Sequence, residues 1–156
     1  MYKVKKVSKL DISSLNTVAR ILHACGKDMA QEYNFHHWDN PYIKTIAIVG
    51  VCGIKSEIYL LYDDNKPVAT FMIQRDEDEF RFEKLGTFPS ESGKGIGSYC
   101  MRKIEEMAKE AGCKRIVMEV YEPNKHAISF YKHKGYTVVG TTKTMKYREV
   151  KMEKSI

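Results

Sequence analysis

At 156 residues with 43% apolar side chains, the chain holds material for one domain of ordinary core size and is expected to form a single domain over 1–156. No run of about 18 apolar residues is present, and the opening Met1-Tyr-Lys-Val-Lys-Lys-Val-Ser lacks a secretory core, so a soluble, cytoplasmic protein without a membrane partner is expected. The balance of 26 basic and 20 acidic residues, +6, suits an anionic ligand, but Arg102-Lys103 followed by Glu105-Glu106 is the texture of a solvated face and argues against a nucleic-acid partner.

Alternation at Tyr2, Val4 and Val7 predicts a short first strand, ended by Ser8 and Lys9. Asp11 reads as a helix cap for a run from Ile12 to about Tyr33, with Leu15, Val18, Ala19, Leu22 and Cys25 at helical period and Gly26 as a break between two pieces. A polar and aromatic stretch, Gln31 to Pro41, leads to a third apolar-periodic piece near Ile43 to Val51. From Glu57 the texture is that of strands. Ile58 to Tyr62 and Val68 to Ile73 flank Asp63-Asp-Asn-Lys-Pro67, a hairpin turn, and a second turn at Asp76 to Glu79 introduces Phe80 to Phe88. After Pro89 a helix is expected from about Gly95 to Ala111, striped by Ile96, Cys100, Ile104, Met107 and Ala108 and ended by Gly112. A strand from Lys114 to Tyr121 follows, then a short helix capped by Asn124 and stopped at Gly135, with Lys132, His133 and Lys134 at its negative end. Strands at about Tyr136 to Lys143 and Lys146 to Glu153 finish the chain. The four cysteines, Cys25, Cys52, Cys100 and Cys113, form no Cys-x-x-Cys pair, so reduced thiols and no metal are expected.

Ser92-Gly-Lys-Gly-Ile-Gly-Ser98 lies between a strand and a helix, where glycines allow backbone amides to point outward together and bind phosphate, aided by the helix N-terminus. Lys94 and Ser98 are candidate side-chain contacts. Two other glycine loops fail on spacing. A nucleotide loop G-x-x-x-x-G-K-[ST] needs Ser or Thr where Gly95 stands, and a dinucleotide fingerprint needs Gly where Ser98 stands.

One helix and one strand later comes Asn124-Lys-His-Ala-Ile-Ser-Phe-Tyr-Lys-His-Lys-Gly-Tyr136. Together the two segments resemble the GNAT superfamily of N-acetyltransferases. The superfamily's [QR]-x-x-G-x-[GA] loop places Ser92 at the Gln/Arg position, followed by Gly93, Lys94, Gly95, Ile96 and Gly97. Its N-x-x-A-x-x-F-Y-x-x-x-G-[FY] helix is matched by Asn124, Ala127, Phe130, Tyr131, Gly135 and Tyr136. Ser92 departs from the pattern and removes a side-chain contact near the phosphates while leaving the backbone nest.

The resemblance implies an α/β (α+β) GNAT fold: a mixed, mostly antiparallel, bent sheet of six to seven strands, helices on both faces, and a splay between the strands ending near Phe88 and Tyr121. It implies acetyl-coenzyme A as cosubstrate, with pantetheine along Leu85, Gly86 and Thr87, the pyrophosphate on the amides from Gly93 to Ser98, and Asn124, Phe130 and Tyr131 toward the thioester. Tyr131 is the candidate general acid, since its phenol can protonate the departing thiolate; packing on the helix face is the other reading. Glu83 is the candidate base and Glu119 the second choice, each set against an ordinary surface ion pair. Tyr33, His36 and Trp38, with His37 and Tyr42, form an aromatic and imidazole cluster that either lines an acceptor site or packs. The expected partner is a small-molecule or peptide amine, the expected assembly a monomer or homodimer, and a non-catalytic acyl-coenzyme A sensor is the competing function.

Overall fold

The computed structural model describes residues 1–34, 49–50 and 52–156. Seven strands form one sheet: β1 (Tyr2–Val7), β2 (Glu57–Asp63), β3 (Lys66–Asp76), β4 (Glu79–Thr87), β5 (Arg115–Tyr121), β6 (Thr137–Lys143) and β7 (Arg148–Ser155), in the order β1-β2-β3-β4-β5-β7-β6. Three labelled helices accompany them: α1 (Ile12–Tyr33), α2 (Ile96–Glu110) and α3 (Lys125–His133); a 3-10 turn covers Pro89–Glu91, and residues 49–50 and 52–55 are helical. The mixed, mostly antiparallel sheet is the one expected.

By packing, the chain divides into two compact units, Met1–Gln74 with Lys84–Lys103, and Arg75–Glu83 with Ile104–Ile156. In the first, β1 and β2 pair antiparallel from Tyr2↔Asp63 to Val7↔Ile58, and β2 and β3 pair from Glu57↔Ile73 to Asp63↔Lys66. Side chains that alternate between faces are all buried from Ile58 to Leu61 and from Val68 to Ile73, so both faces of this hairpin are covered. Val18, Ala19, Ile21 and Leu22 of α1 share a buried cluster with Val7, Ile58, Leu60 and Met72.

In the second unit, β4 and β5 run parallel from Glu79↔Arg115 to Arg81↔Val117. β5 pairs antiparallel with β7, and β7 with β6, which ends the sheet with all seven residues exposed.

Local chemistry sets most boundaries. Asp11 Oδ1 accepts the Ser14 N–H at 3.1 Å and its Oδ2 accepts the Ser14 hydroxyl at 2.6 Å, which caps α1; Asn124 Oδ1 does the same for the Ala127 N–H at 3.1 Å and α3. Gly112 after α2 and Gly135 after α3 take φ values of +75° and +94°, the left-handed exit that glycine enters without a Cβ penalty. The expected break at Gly26 is a correction. α1 runs unbroken through it to Tyr33, with Gly26 buried; the glycine's weak helix propensity, a cost of about 1 kcal/mol, is outweighed by burial of the apolar stripe on either side. The piece predicted near Ile43 to Val51 lies largely outside the described residues.

Candidate active site

Gly86, near the end of β4, is held close to α1. A Cβ there would stand 3.0 Å from Cys25 Sγ and 3.7 Å from Leu22 Cδ2, so the residue type is dictated by the approach of the helix. The Cys25 thiol donates to the Thr87 carbonyl at 3.2 Å, and burial pushes its pKa up to about 11, which keeps it a neutral donor. Leu85 and Thr87 are half-buried on either side. Two residues upstream of Gly86, Lys84 sits in mid-strand at φ +53°, a left-handed conformation uncommon outside glycine that re-aims the backbone groups around it.

The loop after β4 joins two left-handed glycines to a helix N-terminus. Gly93 and Gly95 have φ values of +80° and +78°, with Lys94 between them, and a Cβ on either glycine would meet nothing within 4 Å among the described residues. Left-handed residues alternating with others turn successive N–H groups to one side, forming a concave nest. α2 begins at once with Ile96, Gly97 and Ser98, whose first-turn amides have no acceptor within the helix and bring its positive end to the same place. Ser92, exposed, is turned back, its hydroxyl donating to the Pro89 carbonyl at 2.6 Å. Lys94 is turned to Glu91, donating to Oε2 at 2.7 Å, while Lys66 donates to Oε1 of the same carboxylate. All these residues belong to the first unit.

The second unit holds Glu83, Asn124, Phe130 and Tyr131. Tyr131, half-buried on α3, packs its ring against Phe82 at 5.9 Å, Phe130 at 5.2 Å and Tyr136 at 6.0 Å between centroids, so its orientation is fixed by three aromatic neighbours. Tyr136 is 2% exposed, and its hydroxyl has no hydrogen-bond partner among the described residues; burial first, then Glu105 and Tyr131, drive its pKa upward. Glu83 is half-buried on β4. Glu119 is engaged elsewhere, accepting from Arg81 Nη1 at 2.6 Å, which is the surface ion pair weighed against a catalytic role.

Of the aromatic cluster, Tyr33 ends α1, half-buried, its phenol held above its ordinary pKa by burial and by Glu32. His36, His37, Trp38 and Tyr42 lie outside the described residues. Among the described residues no group of three or more His, Cys, Asp or Glu side chains is placed to hold a metal ion, and no helix is long and apolar enough to cross a membrane.

The family model described as acetyltransferase (GNAT) family matches residues 18–136, more than half of the chain and inclusive of both the nest and Tyr131. The chain belongs to that family. Membership makes this GNAT protein an acetyltransferase by class. It is 28% identical over 110 residues to the uncharacterized protein YxbD of Bacillus subtilis (strain 168), covering 70% of this chain and 68% of the relative. Solved structures share the fold: the PaiA N-acetyltransferase from Thermoplasma acidophilum in complex with coenzyme A has a TM-score of 0.77 at 18% identity, covering 100% of this chain and 99% of that one. The ribosomal-protein-S18-alanine N-acetyltransferase from Escherichia coli has a TM-score of 0.74 at 16% identity, covering 100% and 94%.

Three features of this GNAT chain escaped the sequence reading. Glu91 belongs to neither motif, yet only 4% of it is exposed and it carries two lysines. The left-handed Lys84 has no residue signature, since lysine does not favour that conformation. The packing of Gly86 on Cys25 joins residues far apart in sequence.

Proposed function

We propose that this chain, acting as one domain, transfers the acetyl group of acetyl-coenzyme A directly to a primary amine of a small molecule, peptide or protein, with Tyr131 as general acid and Glu83 as base. The observation that carries the reading is the pair of left-handed glycines, Gly93 and Gly95, opening onto the first turn of α2 in a chain of the acetyltransferase family. The space beside both glycines lets ligand oxygens approach the backbone. A neighbour of the same fold was solved with coenzyme A, which supports the same ligand class here.

On this reading the amides from Gly93 to Ser98 hold the pyrophosphate, and backbone groups of Leu85, Gly86 and Thr87 align the pantetheine like an added strand. Ser92, tied to Pro89, adds little beyond its amide, and Asn124 and Phe130 complete the donor side. The amine attacks only when neutral. Its nitrogen forms a bond to the acetyl carbon as the carbon–sulfur bond breaks; the amine's excess proton passes to Glu83, directly or through water, and the departing thiolate takes the Tyr131 phenol proton. A backbone N–H near Thr87 meets the developing oxyanion. Tyr33 is assigned to the acceptor side; His36 and Trp38, grouped with it in the sequence, lie outside the described residues.

The test is release of free thiol from acetyl-coenzyme A against a broad panel of amines. The wild type should release thiol with at least one acceptor. Y131F should lose about 10²- to 10⁴-fold in rate, the range of general acid catalysis, while binding coenzyme A normally. Y131F acetylating at the wild-type rate would remove Tyr131 from the mechanism, and thermal stabilisation by acetyl-coenzyme A without any thiol release would favour a sensor.

A further inference from the structure

The nest raises a physical question. Two glycines in the left-handed region, with open space where a side chain would pack, are conformationally loose by nature, and a loose nest binds weakly because the ligand must order it. The helix fixes one end of the loop. What fixes the other is a chain of contacts within the first unit. The Phe88 N–H donates to the Val68 carbonyl of β3 at 3.0 Å, the Glu91 N–H to the Phe88 carbonyl at 2.8 Å, and the Ser92 hydroxyl to the Pro89 carbonyl at 2.6 Å. The Glu91 side chain, 5% exposed, then gathers Lys66, at the start of β3, and Lys94, the residue between the two glycines.

We propose that Lys66, Glu91 and Lys94 form a clamp that positions the phosphate nest, so that Glu91, an anion, promotes the binding of an anionic ligand. The proposal rests on the donor-site reading above and extends it to two residues outside the glycine loop pattern. Lys94 is restrained between the glycines because its ammonium is held by Glu91; Glu91 keeps its place because Lys66 anchors it to the hairpin. Glu91 and Lys66 are therefore positioning residues, and neither touches the phosphates. The clamp also supplies a physical account of Ser92. A family member with Gln or Arg at that position has a side chain to help hold the phosphates, whereas this chain gains from having the backbone nest already formed.

The sign of one substitution separates this from plain electrostatics. Removing a negative charge beside an anion site strengthens anion binding if charge alone matters. Loss of the clamp weakens it. The experiment is calorimetric titration of coenzyme A into wild type, E91Q, K66A and the double variant, at low salt and at about 0.5 M salt, where exposed charges are largely screened. The clamp predicts that E91Q binds about three- to tenfold more weakly at both salt concentrations, that K66A does likewise, and that the double variant is no worse than E91Q alone. The Lys66 side chain is 66% exposed, so K66A tests the clamp even if E91Q folds poorly. E91Q binding as tightly as wild type or more tightly, or K66A losing affinity only at low salt, overturns the clamp. A wild type that fails to bind coenzyme A overturns the donor-site reading itself, and the clamp with it.

Discussion

Substituting alanine at Gly93 or Gly95 isolates backbone strain from packing. At φ values of +80° and +78° an L-residue costs about 1–2 kcal/mol relative to its preferred regions, and among the described residues no atom lies within 4 Å of either Cβ position to add steric overlap. The cost appears in one of two places. If the loop keeps its shape, G95A loses about 1–2 kcal/mol of stability and binds coenzyme A normally; if the loop relaxes, stability holds and affinity falls about 5- to 30-fold. The two losses together should sum to the same energy, and asparagine, which tolerates this region better, should lose less than alanine. Gly112 provides the control: it ends α2 at φ +75°, also in open space, so G112A should lose comparable stability and no affinity. Chemical denaturation with calorimetric titration of coenzyme A reads both quantities. G95A with unchanged stability and unchanged affinity would refute the strain argument, and G112A weakening coenzyme A equally would refute the placement of the nest.

Three further outcomes follow from single observations. Y136F should leave the fold intact and raise stability by about 1 kcal/mol in denaturant titration, because it deletes a buried hydroxyl that has no partner among the described residues. G86A should lose about 1–3 kcal/mol by forcing a Cβ against Cys25 Sγ, and G86A/C25A should recover much of it; a strictly additive double variant would show that the contact is not the cause. Hydrogen bonds from Lys66, then Lys94, hold the Glu91 carboxyl below its ordinary pKa of 4.5, so its stabilisation is present above about pH 4.5 and is lost as pH falls through the lower folded-state value. The stability difference between wild type and E91Q should therefore hold from pH 7 to about pH 4.5 and shrink on further acidification in parallel denaturation curves, and a difference that grows would reverse the sign of the argument.

What was legible in the sequence was local. Asp11 and Asn124 cap their helices, and Gly112 and Gly135 end theirs, because a short carboxylate or amide and a missing Cβ act within a few residues of where they stand. The Gly93 and Gly95 turn was read on the same basis. Gly26 misled because its effect depends on burial, which the surrounding stripe of α1 decides. The strand order β5-β7-β6 is a non-local choice, and none of the strand patterns encodes which neighbour each takes. Glu91 and Lys66 are 25 residues apart, and nothing in either neighbourhood announces that a carboxylate will be buried between two ammonium groups. The two motifs of the family resemblance fared better because each combines several residue types at fixed spacing, so both family and fold followed from about residues 80 to 140.

The most direct test of the central claim is a thiol-release assay with acetyl-coenzyme A and a broad amine panel, run on wild type and Y131F side by side with coenzyme A affinities measured for both. Amine-dependent thiol release by the wild type, its loss in Y131F and equal affinities are the predicted result. Equal rates in the two proteins, or no coenzyme A binding by the wild type, would contradict the account.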